Sequence, residues 1–193
     1  MRRGTLIVMV KEPVAGRVKT RLGRDIGMVA AAWWFRHQTR RLLRSLEDPR
    51  WTLVLAVSPD TALVSRFWPG HLARMPQGRG DLGVRMARAI DGIPGPVLLI
   101  GGDIPGVTRA HIAGAFRALG SAASVVGPAS DGGFWLIGLR NGTRRYPGLF
   151  HGVTWSSPTT LVETLPTLPA PVAIAATLGD IDTAADLAQV NPG

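Results

Sequence analysis

Blocks of β-branched residues and leucine recur along the chain, separated by stretches with helical spacing. Three blocks are continuously apolar, as is typical of strands covered on both faces: TLIVMV (5–10), TLVLAVS (52–58) and PVLLIGG (96–102). Three more strands are predicted at AASVVGP (122–128), FWLIGL (134–139) and PVAIAA (171–176). This alternation predicts an α/β fold with a largely parallel sheet between helices.

The intervening stretches predict five helices. Asp25 is expected to cap the first, whose apolar side holds Ile26, Val29, Trp33, Leu42, Leu43 and Leu46. Trp33, Trp34 and Phe35 lie mid-helix and are predicted to be core. The next three helices are predicted at 81–90, at 108–119 with Thr108 as cap, and at 157–165 with Ser157 as cap. Thr183 and Asp186 have capping-box spacing and predict the last helix.

The size of the chain predicts one domain over residues 1–193, since 193 residues with 46% hydrophobic content suit a single core. The absence of cysteine excludes disulfides and thiolate metal sites and suits a reducing compartment, so the cytoplasm is expected. No apolar run approaches the roughly 18 residues that span a bilayer, and no membrane partner is expected.

The formal charge of +9 raises the question of nucleic acid. The arginines are dispersed, however, with adjacent pairs only at 2–3, 40–41 and 144–145 and no basic run interleaved with aromatic residues. A nucleic-acid partner is therefore not expected. A small anionic ligand such as a nucleotide fits better.

Polar and glycine-rich segments follow four of the predicted strands: 11–21, 101–105, 130–133 and 180–183. In open α/β sheets, ligands bind beyond the carboxyl ends of the strands. These segments are therefore expected to share one ligand-binding edge.

The first segment has the character of a phosphate loop. Gly16 permits close approach of the backbone, and donors follow just ahead of a helix at Lys19, Thr20 and Arg21. It is not a Walker A loop, because Val18 stands where the second glycine of that motif belongs. Lys11 and Lys19 are the only lysines beside twenty arginines, which suggests a local need for a compact charge. The alternative is a solvated loop.

Four carboxylates follow the strands and would repel a diphosphate: Asp103, Asp131, Asp180 and Asp182. A divalent cation, Mg²⁺ or Mn²⁺, held between carboxylates and phosphate oxygens resolves the conflict. Asp103 is the first candidate ligand, with a turn role as the alternative. For Asp180 and Asp182 the alternative is interaction with the dipole of the last helix. Asp81 can equally be an N-cap that pairs with Arg85. The four histidines show no ligand spacing.

Five motifs in order resemble the bacterial family of A-type glycosyltransferase-like proteins known as nucleotide-diphospho-sugar transferases: VKEPVAGRVKTRL, QGRGDLGVRM, LLIGGDIPG, GPASDGGFWLIGL and LGDIDTAADL. The resemblance includes members of the arsenosugar biosynthesis type and extends more distantly to molybdopterin and phospholactate guanylyltransferases. It implies a Rossmann-like, mostly parallel twisted sheet of the GT-A type.

By position, the resemblance implies three groups of site residues. Those around the nucleotide are Lys11, Gly16, Lys19, Arg21, Gln77, Gly78 and Asp81. Those at the metal are Asp103 and Asp182, with Asp180 as a further ligand. Those on the acceptor side are Asp131, Gly132, Gly133, Trp135 and Trp155, although core packing is equally expected for both tryptophans.

The sequence departs from the Asp-x-Asp signature of many such enzymes, because Gly101 stands at the position of the first acid. The metal hypothesis therefore needs a second carboxylate from 180 or 182. The expected reaction is transfer from a nucleotide sugar, in which Lys19, Arg21 and the metal stabilise the departing diphosphate and Asp131 accepts the proton of the acceptor. The alternatives are nucleotidyl transfer from a triphosphate, with release of pyrophosphate, and a non-catalytic nucleotide-binding or nucleic-acid-binding protein.

Overall fold

The structure, a computed structural model, describes residues 3–104 and 106–179. Within these residues, seven strands form one sheet: β1 (Gly4–Lys11), β2 (Trp51–Ser58), β3 (Ala73–Pro76), β4 (Val97–Gly101), β5 (Ser124–Pro128), β6 (Phe134–Leu139) and β7 (Val172–Ile174). The helices are α1 (Thr20–Ile26), α2 (Met28–Leu46), α3 (Leu82–Ile90), α4 (Arg109–Ala118) and α5 (Thr160–Thr164), with short 3₁₀ helices at Asp60–Val64 and Leu165–Thr167.

The strand order is β3-β2-β1-β4-β6-β5-β7. All the pairings are parallel except those of β6, which runs antiparallel to both of its neighbours. The predicted α/β class and mostly parallel sheet are confirmed. The sequence did not predict the short edge strand β3, because ARMP is brief, contains no β-branched or aromatic residue and ends in proline.

Each face of the sheet carries its own core, as the two-residue period of the strands requires. In β1, Leu6, Val8 and Val10 pack in one core with residues of α2 and α4, while Ile7 packs in the other with residues of α3. The central strands are covered on both sides, which explains their unbroken apolar runs.

The start of the first long helix differs from the prediction. Asp25 lies inside α1, and α2 begins after Gly27, whose φ of 92° ends α1. The expectation that Asp25 caps the long helix is wrong, because glycine supplies the break two residues later.

The apolar side predicted for this helix is only partly buried. Leu42, Leu43 and Leu46 are core, as predicted. In contrast, Val29 is 64% exposed and Trp33 is 58% exposed, so their prediction as core residues is wrong. The neighbouring Phe35 is buried. Helical spacing identifies residues that share a face, but no described residue covers the first half of this face.

The caps of the later helices follow the sequence more closely. Thr108 caps α4 and forms a capping box with His111. The helix predicted from Ser157 begins only at Thr160, because the Ser157 hydroxyl forms a local turn by accepting a bond from Thr159 N. Thr183 and Asp186 lie outside the described residues. In the part of the chain that the structure describes, no helix is long and apolar enough to cross a membrane.

Candidate active site at the carboxyl edge of the sheet

The topology brings three of the four predicted segments to one edge of the sheet. The parallel strands β1 to β4 end together there. Because β4 and β5 both run antiparallel to β6, β5 ends at the same edge. Residues 11–21, 101–104 and 130–133 therefore lie along it, whereas 180–183 lie outside the described residues.

A cleft of about 250 Å³ lies where the loops after β1 and β4 meet. Its lining comes from the end of β1, the loop into α1, helix α2 and the loop after β4: Met9, Lys11, Arg17, Val18, Lys19, Thr20, Phe35, Gly101, Gly102 and Asp103. Three of these side chains are cationic and one is a carboxylate. The cleft therefore has a net positive lining.

The central contact of the cleft joins Lys19 to Asp103. Lys19 Nζ lies 2.9 Å from Asp103 Oδ2, and the side chains are 6% and 39% exposed. Lys19 adopts the left-handed conformation, with φ 43° and ψ 49°, immediately before α1. A non-glycine residue pays of order 1–3 kcal/mol for such a conformation, and strain of this kind concentrates at functional sites. The backbone thus holds a nearly buried ammonium over the loop that follows β4.

The loop after β4 passes close to β1 because it contains glycine. A Cβ on Gly102 would lie 2.9 Å from the carbonyl oxygen of Met9 and from a methyl carbon of Val10. A side chain there would push the loop, and Asp103 with it, away from Lys19. This close packing explains the glycine that precedes Asp103.

Asp103 can supply a carboxylate oxygen to a divalent cation, but the described residues contain no group of three or more histidine, cysteine, aspartate or glutamate side chains that could hold one. Mg²⁺ is commonly bound through one or two carboxylates together with substrate phosphates, so Asp103 in a cationic cleft fits that mode of binding. The predicted ligands Asp180 and Asp182 lie outside the described residues.

Other members of the predicted phosphate loop lie around this cleft. Lys11 and Thr20 line it, while Gly16 and Arg21 are exposed residues of the same segment. Gly16 has a φ of 76°, which favours glycine whether or not a ligand binds. Sequence reasoning missed Val18 and Arg17, and it assigned Phe35 to the core alone.

Gln77 is tied into the sheet. Its side chain is buried, and its amide nitrogen donates to the carbonyl oxygens of Val10 at 3.2 Å and Ala56 at 2.8 Å. Its amide oxygen accepts from Arg85 at 3.0 Å. Gln77 therefore joins β3 to the ends of β1 and β2. These bonds engage both ends of its amide within the protein.

Gly78 and Asp81 also have local partners. Gly78 N donates to Asp60 Oδ1 at 3.0 Å. Asp81 caps α3, since its carboxylate accepts from Val84 N at 2.8 Å. The N-cap interpretation of Asp81 is confirmed. Its predicted ion pair with Arg85 is wrong, because the Arg85 side chain bonds to Gln77 and to the main-chain oxygen of Asp81 instead.

Asp131 lies in the turn between β5 and β6, where its Oδ1 accepts from Gly133 N at 2.9 Å. Since β6 separates β4 from β5, the turn that carries Asp131 spans the ends of the two strands next along the edge from the Asp103 loop. Gly132 has a φ of 88°, and a Cβ on it would lie 2.2 Å from Pro158 O. The main chain of Pro158, rather than a ligand, occupies the space that Gly132 leaves.

The two candidate acceptor-site tryptophans differ in burial. Trp135 is 2% exposed, and its indole N–H donates to Ala176 O at 2.8 Å. Of its two interpretations, core packing is confirmed. Trp155 is half-buried and packs edge-on against Phe134 and Phe150.

Two carboxyl groups outside the cleft, those of Asp48 and Glu163, have lowered pKa values. The Arg50 guanidinium lowers the pKa of Asp48 to about 2 through hydrogen bonds. The Thr159 hydroxyl, followed by the Thr154 N–H, lowers the pKa of Glu163 and ties α5 to the loop before it.

A larger cavity of about 500 Å³ lies at the opposite edge of the sheet, beside Asp91 and Tyr146, and contains none of the predicted site residues.

The fold and the cleft define an enzyme of the transferase class with the architecture of nucleotide-diphospho-sugar transferases. A crystal structure described as a "putative nucleotide-diphospho-sugar transferase" from Desulfovibrio desulfuricans G20 is 31% identical, with a TM-score of 0.85 over 97% of this chain and 85% of that one. Residues 42–157 match the family described as "Uncharacterized protein conserved in bacteria (DUF2064)". The chain belongs to this family, and the resemblance inferred from its motifs is confirmed.

More distant structures share the fold alone. CMP:2-keto-3-deoxy-manno-octonic acid synthetase, complexed with CTP, is 10% identical with a TM-score of 0.57 over 98% of this chain and 97% of that one. Rv0371c of Mycobacterium tuberculosis H37Rv, complexed with manganese, is 18% identical with a TM-score of 0.52 over 98% of both chains. A search of curated proteins found no match.

Proposed function

We propose that the chain is a metal-dependent transferase that binds the diphosphate of a nucleotide sugar in the cleft that Lys19 and Asp103 line. The observation that carries this proposal is the 2.9 Å contact between these two side chains at the carboxyl edge of the sheet. A solvated surface loop has no need of an almost buried lysine in a strained conformation. A phosphate-binding site does need such a lysine, because it must hold a positive charge in a fixed position.

The cationic lining would bind the diphosphate. At an effective dielectric of about 20, one ammonium about 4 Å from a phosphate charge gains roughly 4 kcal/mol before desolvation costs. Lys11, Arg17 and Lys19 all line the cleft. Lys19 is the best placed to stabilise charge on the leaving diphosphate, because the backbone already holds it there and it needs little reorganisation. Arg21, predicted as catalytic, remains a candidate for the same role.

Asp103 would hold the cation, with Asp180 and Asp182 as proposed further ligands. When bound, Mg²⁺ or Mn²⁺ supplies Lewis-acid stabilisation of the phosphate oxygens. A manganese complex of a protein with this fold supports the choice of a divalent ion. Asp103 pairs with Lys19, so metal binding would exchange an ammonium for the cation as a partner of this carboxylate.

Asp131 would take the proton from the acceptor hydroxyl. It is exposed at the same edge of the sheet as the Asp103 loop, in the turn between β5 and β6. One of its oxygens accepts from Gly133 N, which orients the carboxylate. The proton would move from the attacking oxygen to the carboxylate as the bond between sugar and diphosphate breaks.

Nucleotidyl transfer is the second candidate, because the synthetase complexed with CTP shares this fold and the same cationic cleft could hold a triphosphate. The two reactions differ in their products. Glycosyl transfer releases a nucleoside diphosphate, whereas nucleotidyl transfer releases pyrophosphate.

The test is a thermal-shift screen of nucleotide sugars and nucleoside triphosphates, each with and without Mn²⁺, followed by product detection with the best ligand. We expect stabilisation by a nucleotide sugar that requires Mn²⁺ and is lost in Asp103→Asn. Asp91→Asn is the matched control, since Asp91 lies beside the cavity at the opposite edge. Nucleotide stabilisation that is unchanged in Asp103→Asn would refute the proposed site. Release of pyrophosphate would favour the second candidate.

A further inference from the structure

Among residues 3–104 and 106–179, no element covers the apolar side chains at the start of α2. Val29 is 64% exposed, Trp33 is 58% exposed, and Ile26 and Met28 just before them are 39% and 38% exposed. Val29 and Trp33 are four residues apart and lie on the same side of the helix. Ile26 is the last residue of α1, and the other three belong to α2; we call Ile26, Met28, Val29 and Trp33 together the α2 apolar face. Exposed apolar groups that cluster in this way mark interaction sites.

The same helix carries positive charge and no carboxylate. Continuing from Val29 and Trp33 in steps of four and three residues, the exposed positions are His37, Arg41 and Arg44. Helix α2 contains no aspartate or glutamate. Residues 13–46 hold eight basic residues and one acid, Asp25, so most of the formal charge of +9 originates in this segment. The exposed side of α2 thus joins an apolar end to a basic end.

We propose that this side of α2 docks the protein on an anionic lipid bilayer. Helices that lie in a membrane interface combine apolar residues, often with tryptophan, and arginine or lysine on an adjoining face. Tryptophan favours the headgroup level, and basic residues are attracted to anionic lipids. Helix α2 has 19 residues and would lie in the plane of the surface without crossing it.

The composition of the face argues for a bilayer over the other occupants. A second copy of the chain would bring two strongly basic segments together, which is electrostatically unfavourable. Nucleic acid would suit the arginines and could stack on Trp33, but it offers nothing to Ile26, Met28 and Val29. A bilayer interface accommodates all of these groups. This proposal does not depend on the reaction in the cleft.

Helix α2 contributes both to the proposed docking surface and to the cleft. Phe35 of α2 lines the cleft, and the loop that carries Arg17 and Lys19 leads directly into α1 and α2. A protein held to a bilayer through α2 would therefore keep the cleft near the lipid headgroups.

Vesicle flotation tests the proposal with purified full-length protein. The probes are vesicles of phosphatidylcholine alone and vesicles of an equal mixture of phosphatidylcholine and phosphatidylglycerol. We expect binding only to the mixture, weakened by high salt. Val29→Ser with Trp33→Ser should weaken it by roughly tenfold or more, since it removes most of the exposed apolar surface. Arg41→Gln with Arg44→Gln should weaken it about 25-fold, at roughly fivefold per arginine.

Two matched double variants control for general effects of polarity and charge. Val64→Ser with Val162→Ser changes valines that are 86% and 68% exposed elsewhere. Arg144→Gln with Arg145→Gln removes an exposed arginine pair beside the opposite cavity. Both controls should bind as the wild type does. Absence of binding to the mixed vesicles, or equal losses in the control variants, would overturn the proposal. A stable dimer that Trp33→Ser converts to a monomer would assign the face to a second copy instead.

Discussion

Lys19 Nζ lies 2.9 Å from Asp103 Oδ2, so residues that are far apart in the chain form an ion pair where the loops after β1 and β4 meet. The pair places a nearly buried ammonium and a partly exposed carboxylate in one cleft. An ammonium is suited to bind phosphate oxygens, and a carboxylate is suited to bind a divalent cation.

Replacing Lys19 by methionine should weaken binding of the stabilising nucleotide about 10-fold to 100-fold, since a hydrogen bond to a charged group contributes roughly 1.5–3 kcal/mol. Titration calorimetry in the presence of Mn²⁺ measures the change. Arg66→Met, which removes an exposed cation outside the cleft, should bind as the wild type does. Equal affinities for Lys19→Met and the wild type would contradict the assignment of Lys19 to the phosphates.

Replacing Asp131 by asparagine should lower kcat for transfer about 100-fold or more, because general base catalysis contributes roughly 10²–10⁴-fold. Asparagine keeps an oxygen that can accept from Gly133 N, so the turn should survive. Steady-state kinetics provide the measurement, and the affinity for the nucleotide serves as the internal control. If kcat is unchanged while the variant is folded, another group accepts the proton.

Replacing Gln77 by leucine should destabilise the fold by about 2–4 kcal/mol, because it removes the buried amide's bonds to the carbonyls of Val10 and Ala56 and to the Arg85 guanidinium. Urea denaturation measures this loss. Gln38→Leu, at a half-buried position of α2, is the comparison and should cost much less. A loss below about 1 kcal/mol for Gln77→Leu would mean that water or neighbouring groups replace its bonds.

Replacing Gly132 by alanine should destabilise the protein by about 3 kcal/mol or more, since the new Cβ would lie 2.2 Å from Pro158 O in a backbone with φ 88°. Gly152→Ala shares the conformation, with φ 75°, but its Cβ would meet nothing within 4 Å. The control should therefore lose only about 1–2 kcal/mol. Denaturation curves of the two variants separate the clash from the backbone strain, and similar losses would show that the Pro158 contact is unimportant.

Replacing Asp48 by asparagine should destabilise the protein at neutral pH and have less effect in acid. Arg50 lowers the pKa of Asp48 from 3.8 to about 2, so the stabilising effect of the carboxylate is complete above about pH 4 and is lost as the pH falls towards 2. Thermal unfolding across this range should show the wild-type and variant midpoints converging. A constant difference between them would mean that the charge of Asp48 contributes nothing.

The sequence predicted the parts of the candidate site that depend on local pattern and topology. Unbroken apolar runs identified β1, β2 and β4, and the rule that ligands bind at the carboxyl ends of parallel strands brought Lys19 and Asp103 to one edge. Asp81 and Thr108 were recognised as caps because capping is a contact within a few residues. The antiparallel insertion of β6 between β4 and β5 had no local signal, since pairing partners are distant in the chain.

By itself, the sequence determined six of the seven strands, the approximate positions of the helices and the edge that collects the polar loops, because these follow from side-chain period and chain direction. Only the tertiary structure decided that Lys19 meets Asp103, that the Gln77 amide bonds to two other strands, and that Trp33 faces outward. Helical spacing places Val29 and Trp33 on one side of α2 but says nothing about what covers that side. Coverage depends on the packing of elements that are far apart in the chain.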